Sequence, residues 1–368
     1  MSTEWSGVVT TTTARYLKGA ADLTIRDRLW LAWLNRKRRI TYNWSGDEVK
    51  WQVKFSLPEV VPYSGGIIDF EPSDPYRQLT LGWRGYVVSD TMTERERLMN
   101  RGNEALIRRY GEIMKNNRRA MDNQLGTEVY VDGNATGYTS RMHGIESFCA
   151  AGGTCAVTDK IAVPDDTYAG KSTKLGAEAG TWSSDLTTSP NAVQATDWPS
   201  GKGDPEYDYM APRLMNYDST AWGTGAQTWL ANCDRVIRQA NLWTRLNAGP
   251  DGRADVVLLA EDMFYDYMNK IEAKSRINLK PTPQVLEMGF DGAQQEGVSI
   301  VTEFGVPAST GYLLNFDQME MRCMYGELYM SKGPEMDINT LSYKYLMAYY
   351  GNLCFQPKFF SKIADFVA

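Results

Sequence analysis

From Glu48 onward the chain alternates, with Val49, Trp51, Val53 and Phe55 standing between Lys50, Gln52, Lys54 and Ser56. A period of two places the four apolar side chains on one face of a β-strand. Pro58 and Pro62 interrupt the pattern, and Ser64-Gly65-Gly66 supplies a turn before Ile67-Ile68-Asp69-Phe70, so two antiparallel strands are predicted over 48–70. A two-stranded hairpin alone is marginal in water, so this one must lie against something. Ahead of it, a polar stretch with Thr10 to Thr13 leads into Ile25–Leu34. There Leu29, Ala32 and Trp33 share one helical face, with Arg26, Arg28 and Arg36 elsewhere. That segment ends in the basic run Arg36-Lys37-Arg38-Arg39 and reads as a docking arm or as a short surface helix.

The period changes at Thr93. Thr93-Glu94-Arg95-Glu96 matches a capping box, in which the Thr hydroxyl caps early amides and the Glu reaches back. Apolar positions recur at Leu98, Met99, Leu106, Tyr110, Ile113, Met114, Met121 and Leu125, and Gly126 offers a stop. Such a helix over 93–125 is about 48 Å long, against a radius of gyration of about 21 Å for a compact chain of this size. It would be a spine crossing the whole molecule, with Gly102 and Gly111 as weak points. Beyond it, Thr127–Val131 reads as a strand ending at the turn Asp132-Gly133, and residues 181–225 as a long ordered loop resting on a domain. Leu230, Cys233, Ile237 and Ala240 mark an amphipathic helix. Asp255–Leu259 reads as a short buried strand, and Met263, Phe264, Tyr267, Met268 and Ile271 mark a second helix. The class is α+β, without an internal repeat.

Composition narrows the function more than the class. A length of 368 residues allows two or three packed domains, and 43% hydrophobic with 23% charged is ordinary globular usage. No apolar run is long enough for a membrane span, the start lacks the segments of a signal peptide, and a net charge of -6 argues against a chain devoted to gripping nucleic acid. The one histidine, His143, sits in a Gly-flanked segment without ligand spacing; a histidine-based triad or metal site would have to use it, and it reads instead as a hydrogen-bonding loop or domain-edge residue. Cys149, Cys155, Cys233, Cys323 and Cys354 form no C-x-x-C pair and read as reduced thiols of a cytosolic protein. Against this stand 11 Trp, 21 Tyr, 11 Phe and 17 Met, residue types used in cores and in protein interfaces. No catalytic, cofactor-binding or metal-binding residue is assigned.

One motif competes. Ala169-Gly170-Lys171-Ser172-Thr173 resembles the end of a phosphate-binding loop, and Val256–Asp262 its acidic partner strand. The first glycine of that motif belongs at 165, where the chain has Asp165 followed by Asp166, a pair that repels phosphate. A nucleotide-hydrolysing enzyme working through 165–173 is therefore the minor alternative.

The order of the elements resembles that of the major capsid proteins of tailed bacteriophages, with their Hong Kong 97 type fold. The resemblance runs from about Thr24 to Val367. It is carried by the Gly-Gly-containing extension over 48–70, the helix opening Asn100–Leu106, Tyr130–Asn134, His143–Ser147, Tyr168–Thr173 and Tyr207–Pro212. The C-terminal third carries it best. Asp255–Tyr267 is followed there by Gly289-Phe290, Val298–Val301, Gly305-Val306-Pro307, Tyr312–Asn315, Met319–Arg322 and Leu346–Pro357. Ser309-Thr310-Gly311 stands in place of the family's usual Ala-Gly-Thr turn.

The resemblance implies an N-terminal arm (1–43), an extended β-hairpin loop (44–78) lying over an adjacent subunit, a peripheral domain (79–125 with 318–352) built on spine helix 93–125, and an axial domain (126–317 with 353–368). It implies a non-enzymatic subunit that assembles with itself into pentamers and hexamers of an icosahedral head enclosing double-stranded DNA. Assembly would take place in the bacterial cytoplasm and end in the virion. Portal and scaffolding proteins are implied partners and a decoration protein a further one, with no cofactor and no membrane. The chain lacks a long N-terminal extension to serve as internal scaffold, so a separate scaffolding protein is expected. An encapsulin-type compartment shell is the alternative within the fold. Trp51, Phe55, Arg36, Arg38 and Arg39 are the candidate inter-subunit contacts. Lys50 and Lys54 lie where some members carry a crosslinking Lys, and they read here as solvated strand-face lysines.

Overall fold

The computed structural model describes residues 28–55, 75–99, 103–152, 160–180, 202–223, 227–273 and 292–366, together with positions 65, 182, 183, 198 and 225. Thr10 to Thr13, Arg26, Pro58, Pro62, the Ile67–Phe70 strand, Asn100–Gly102, Cys155 and Gly289-Phe290 lie outside the described residues.

The fourteen-residue strand Ser342–Phe355, rich in Tyr and other strand-forming residues, organises a five-stranded sheet. Along one side it pairs antiparallel with Arg84–Thr93, from Ser342↔Thr93 to Gly351↔Arg84. Along the other it takes Met330–Asp337 and then Met319–Cys323, and the short Ile40–Thr41 adds in parallel to the latter. The helices Glu94–Met99 and Asn103–Glu128 follow the first of these strands. Thr93 Oγ1 accepts from the Glu96 amide at 3.2 Å, the capping contact expected from the sequence. Met92, Ile113 and Tyr345 form a small core between helix and sheet, and Tyr110 lies 5.5 Å from Tyr345.

The long helix runs through Gly126 to Glu128 instead of stopping, so the strand expected over Thr127–Val131 does not form. The reason is tertiary. A side-chain carbon at Gly126 would lie 1.9 Å from Arg28 Nε, and the Gly126 carbonyl accepts from Trp30 Nε1 at 3.0 Å. Helix Leu29–Arg36 docks there, and it buries Leu29, Trp30, Trp33 and Leu34, while Ala32, read as sharing a face with Leu29 and Trp33, is exposed.

A second sheet has seven strands, made from residues 161–162, 213–216, 256–259, 293–295, 298–302, 311–314 and 361–364. Val256–Leu259, expected as a buried strand, sits inside it between Val298–Thr302 (parallel) and Gly311–Leu314 (antiparallel). Helices Trp229–Ala248 and Glu261–Ala273 cover it, with Cys233, Ile237, Ala240, Met263, Tyr267 and Ile271 buried as their spacing requires. Within 181–225, expected as loop, Arg213–Asn216 is instead a fully buried strand pairing with Ser361–Ala364. The tryptophans serve these interiors, since Trp30, Trp33, Trp198, Trp222, Trp229 and Trp243 are all buried in the chain's own cores.

Glu48–Lys54 forms the predicted first strand of the hairpin, but its partner is Tyr76–Gly82, in register from Glu48↔Gly82 to Lys54↔Tyr76. The return strand therefore comes later than 67–70, and the hairpin runs past residue 78, with only Trp83 between it and Arg84–Thr93.

Candidate functional site

The hairpin is the part of the sequence that needed a partner, and its base finds one within its own chain. Arg322 reaches out from strand Met319–Cys323, with its guanidinium carbon 4.1 Å from the Trp44 ring centroid and 6.0 Å from that of Trp51. Its Nη1 donates to the Lys50 carbonyl at 2.8 Å, and Nε and Nη2 donate to Glu320 Oε2 at 3.0 and 2.8 Å. Glu320 Oε1 takes the Thr41 hydroxyl, which in turn accepts from Trp44 Nε1, both at 2.8 Å. A planar fork held between two indole faces fixes direction as well as distance, which a lysine would not do.

Further along, Phe55 is only 3% exposed, tilted against Tyr209 at 5.2 Å and under the Arg77 guanidinium at 4.4 Å. Trp51 is half-buried, 6.4 Å from Tyr168, and the Thr80 amide donates to the Ala169 carbonyl at 3.3 Å. Trp51 and Phe55 thus spend most of their apolar surface inside the chain. Lys50 and Lys54 are exposed, and Lys50 lies 3.5 Å from Glu48. Arg322 and Tyr209, which hold the hairpin, lie in segments that resembled the family but gave no sign of this contact, because each is far from the hairpin in sequence.

The basic run separates into two kinds of position. Lys37 Nζ bonds Asp255 and Asp317 at 2.8 Å and ties helix Leu29–Arg36 to the second sheet. Arg36 and Arg38 are exposed, and Arg39 lies 3.7 Å from Asp317. Arg38 takes a left-handed backbone, φ 55°. Arg36, Arg38 and Arg39 thus stand together at one helix end, whereas Trp51 and Phe55 lie on the hairpin.

His143 is a core residue. Its amide donates to Asn352 Oδ1 at 3.1 Å, and its Nδ1 lies 2.9 Å from Asn352 Nδ2, which also donates to the Gly82 carbonyl. Burial, with the nearby positive charge of Arg84, lowers its pKa to about 4. The segment resembling a phosphate loop is a tight hairpin. Ala169 and Gly170, φ 52° and 77°, turn the chain between Thr167–Tyr168 and Lys171–Ser172. Lys171 pairs with Glu178 and Lys174 with Asp165, both at 2.9 Å, and the residues after the hairpin form no helix as far as 180. No cluster of His, Cys, Asp and Glu suited to a metal occurs among the described residues, and Cys149, Cys233, Cys323 and Cys354 are buried free thiols.

The densest charge cluster is structural. Arg213 is fully buried and donates to Asp208 Oδ2 at 2.9 Å, while Lys358 and Trp198 Nε1 complete the Asp208 carboxylate at 2.7 and 3.0 Å. Burial alone would raise the Asp208 pKa, but Arg213 and Lys358 outweigh it and hold the group ionised. Replacing one member leaves the others as uncompensated buried charge, which costs about 3–5 kcal/mol in such sites.

No family model matches the chain, and no curated protein matches its sequence. Solved structures do match, almost end to end. In the Cyanophage A-1(L) capsid asymmetric unit, 96% of each chain is covered with a TM-score of 0.59 and 13% identity. The capsid of the empty GTA particle covers 97% of this chain and 98% of its own, with a TM-score of 0.53 and 8% identity. For the mature capsid of bacteriophage PhiM1 the coverage is 95% and 90%, with a TM-score of 0.50 and 9% identity. The chain has the fold of these capsid proteins, the Hong Kong 97 type expected from its sequence.

Proposed function

We propose that the chain is the major capsid protein of a tailed phage, a structural subunit whose only reaction is assembly. The observation that carries this reading is the end-to-end match with capsid chains of nearly the same extent. A fold by itself leaves function open. What the described sites add is that two candidates for chemistry have a structural use: His143 packs with Asn352, and 167–172 is a hairpin.

In this reading pentamers and hexamers of the chain close an icosahedral shell around double-stranded DNA. They assemble in the bacterial cytoplasm with a scaffolding protein and a portal, with a decoration protein as a further partner. The division into arm, extended loop, peripheral domain and axial domain is part of the same proposal, with the loop carried to the end of its return strand at Gly82 and the spine helix to Glu128. Trp51 and Phe55 act through the hairpin, aiming its far part at a neighbouring copy. Arg36, Arg38 and Arg39 meet a neighbour directly.

The test is assembly. Purified protein, alone and co-expressed with its scaffolding partner, is examined by size exclusion and negative-stain microscopy. Closed shells protecting nuclease-resistant DNA are expected after co-expression with the packaging proteins. Shells filled with a protein cargo and no DNA favour a compartment protein of encapsulin type. A monomer under all conditions, stabilised by nucleotide, overturns the reading.

A further inference from the structure

Strands Val256–Leu259 and Gly311–Leu314 run antiparallel in the middle of the second sheet, from Val256↔Leu314 to Leu259↔Gly311. Opposite charges gather at their two ends. The basic run stands at the Asp255 end, seated there by Lys37 on Asp255 and Asp317 at 2.8 Å. Arg36 and Arg38 are exposed, and the Arg38 side chain has no ion pair among the described residues.

Helix Glu261–Ala273 begins at the other end. Asp262 is spent on the turn entering Gly311–Leu314, where it accepts from the Ser309 amide and hydroxyl at 3.1 and 3.0 Å. Glu261 is exposed and Asp266 half-buried, and neither has an ion pair among the described residues. Tyr265 follows Glu261 by four residues, hence on the same helical face. It is 68% exposed, more than any other aromatic side chain among the described residues. The negative charge extends beyond the helix. Burial, then the charges of Asp365, Asp218 and Asp262, raise the Tyr217 pKa, so three carboxylates surround that ring.

We propose that Arg36 and Arg38 of one copy dock on the helix face formed by Glu261, Tyr265 and Asp266 of a neighbouring copy. The inference rests on the shell reading and names one of its contacts. Charge complementarity selects the occupant. Each copy carries a net charge of -6, so whole copies repel and a local basic surface is what lets them meet. The two surfaces do not meet within one chain, because a strand of about 13 Å and the turns at its ends separate them. An ion pair closes only within about 4 Å. Different surfaces at opposite ends make a heterologous, head-to-tail contact, which closes into a ring when the rotation between copies permits. Carboxylates take the guanidinium forks, and the Tyr265 ring offers its face to one of them. Five side chains fall far short of the roughly 20–30 residues per side of a stable interface, so this contact counts by repetition.

Two experiments test it. One variant carries Arg36→Glu and Arg38→Glu, another Glu261→Arg and Asp266→Arg, with Lys37 and Asp262 kept because they hold the fold. Both are expected to match the wild type in circular dichroism and thermal melting, and to lose roughly tenfold or more in yield of closed particles. All four substitutions in one chain exchange the signs, and the yield should recover. Wild-type yield from either double variant overturns the contact, and so does a fourfold variant no better than the two. Arginine-variant particles of normal yield that hold less DNA assign the corner to the enclosed DNA and overturn it too. A wild type that forms no particles under any condition counts instead against the shell reading. In the second experiment Arg38→Lys, which keeps the charge, is assembled and treated with a water-soluble carbodiimide, which joins an amine to a touching carboxylate. Mass spectrometry is expected to find position 38 joined to Glu261 or Asp266, a link only two copies can make. Particles without that link overturn the proposal.

Discussion

A single histidine makes one residue-scale statement unusually easy to check. Asn352 Oδ1 is spent on the amides of His143 and Leu353, so its amide nitrogen faces the ring and leaves Nδ1 as an acceptor. The neutral imidazole fits and the imidazolium does not, in agreement with a pKa lowered to about 4 by burial and by Arg84. Because the folded chain resists this protonation, His143 contributes stability that is present above about pH 6.5 and lost as pH falls toward 4. The full loss is on the order of 3 kcal/mol. Two carboxyls act with the opposite sign. Burial raises Asp166 to about 6 and Glu303 to about 8, so the stability they contribute is present at low pH and lost as pH rises through those values. The expected outcome is one imidazole resonance titrating near pH 4 in the native protein and near the ordinary value once unfolded. A native midpoint above 6 would sink this account of the His143 site.

At the scale of elements, the docking of helix Leu29–Arg36 on the end of the long helix yields a counter-intuitive substitution. Gly126 lies within the helix, where alanine is worth about 1 kcal/mol more than glycine. Here the added methyl lands on Arg28, whose guanidinium donates to the Phe304 carbonyl at 2.8 Å and the Asn123 carbonyl at 3.0 Å. Gly126→Ala is therefore expected to destabilise by about 1–3 kcal/mol, the cost of overpacking and of lost charged hydrogen bonds. It should also speed tryptic cleavage at Arg36, and unchanged denaturation and cleavage would refute the docking argument. The same glycine shows what was legible beforehand. Thr93 and Glu96 could be read because a cap is local, and Val256–Leu259 because an apolar run between turns is local too. Gly126 looked like a stop because its use depends on Arg28, far away in sequence. Arg213–Asn216 was hidden more deeply, since its arginine and asparagine argue against a buried strand until the buried Asp208 carboxylate is seen to accept from Arg213. The hairpin's first strand was visible in its alternation. Its partner strand was not, because register depends on which distant strand it meets.

For the whole molecule, the aromatic surplus that first suggested contact surfaces is largely absorbed by the two internal cores. What remains outside among the described residues includes an apolar tip at one end of the five-stranded sheet and a basic corner beside the second sheet. The corner is the better test of how an acidic chain, net charge -6, meets its neighbours or its enclosed DNA. Replacing the whole run Arg36–Arg39 would mislead, because Lys37 bridges Asp255 and Asp317 and its loss loosens the fold itself. The informative variant keeps Lys37 and changes Arg36→Gln, Arg38→Asn and Arg39→Gln, with Asn chosen because it tolerates the left-handed backbone at 38. Removing three exposed charges should leave monomer stability within about 0.5 kcal/mol. Exposed charges attract over about 10 Å at 0.1 M salt, so a contact made through them is strongest at low ionic strength. Wild-type assembly or packaging should then weaken steeply between low and moderate salt, while the triple variant starts lower and responds less. If the two proteins assemble and package alike across the salt series, the basic corner faces solvent in the particle and carries no contact.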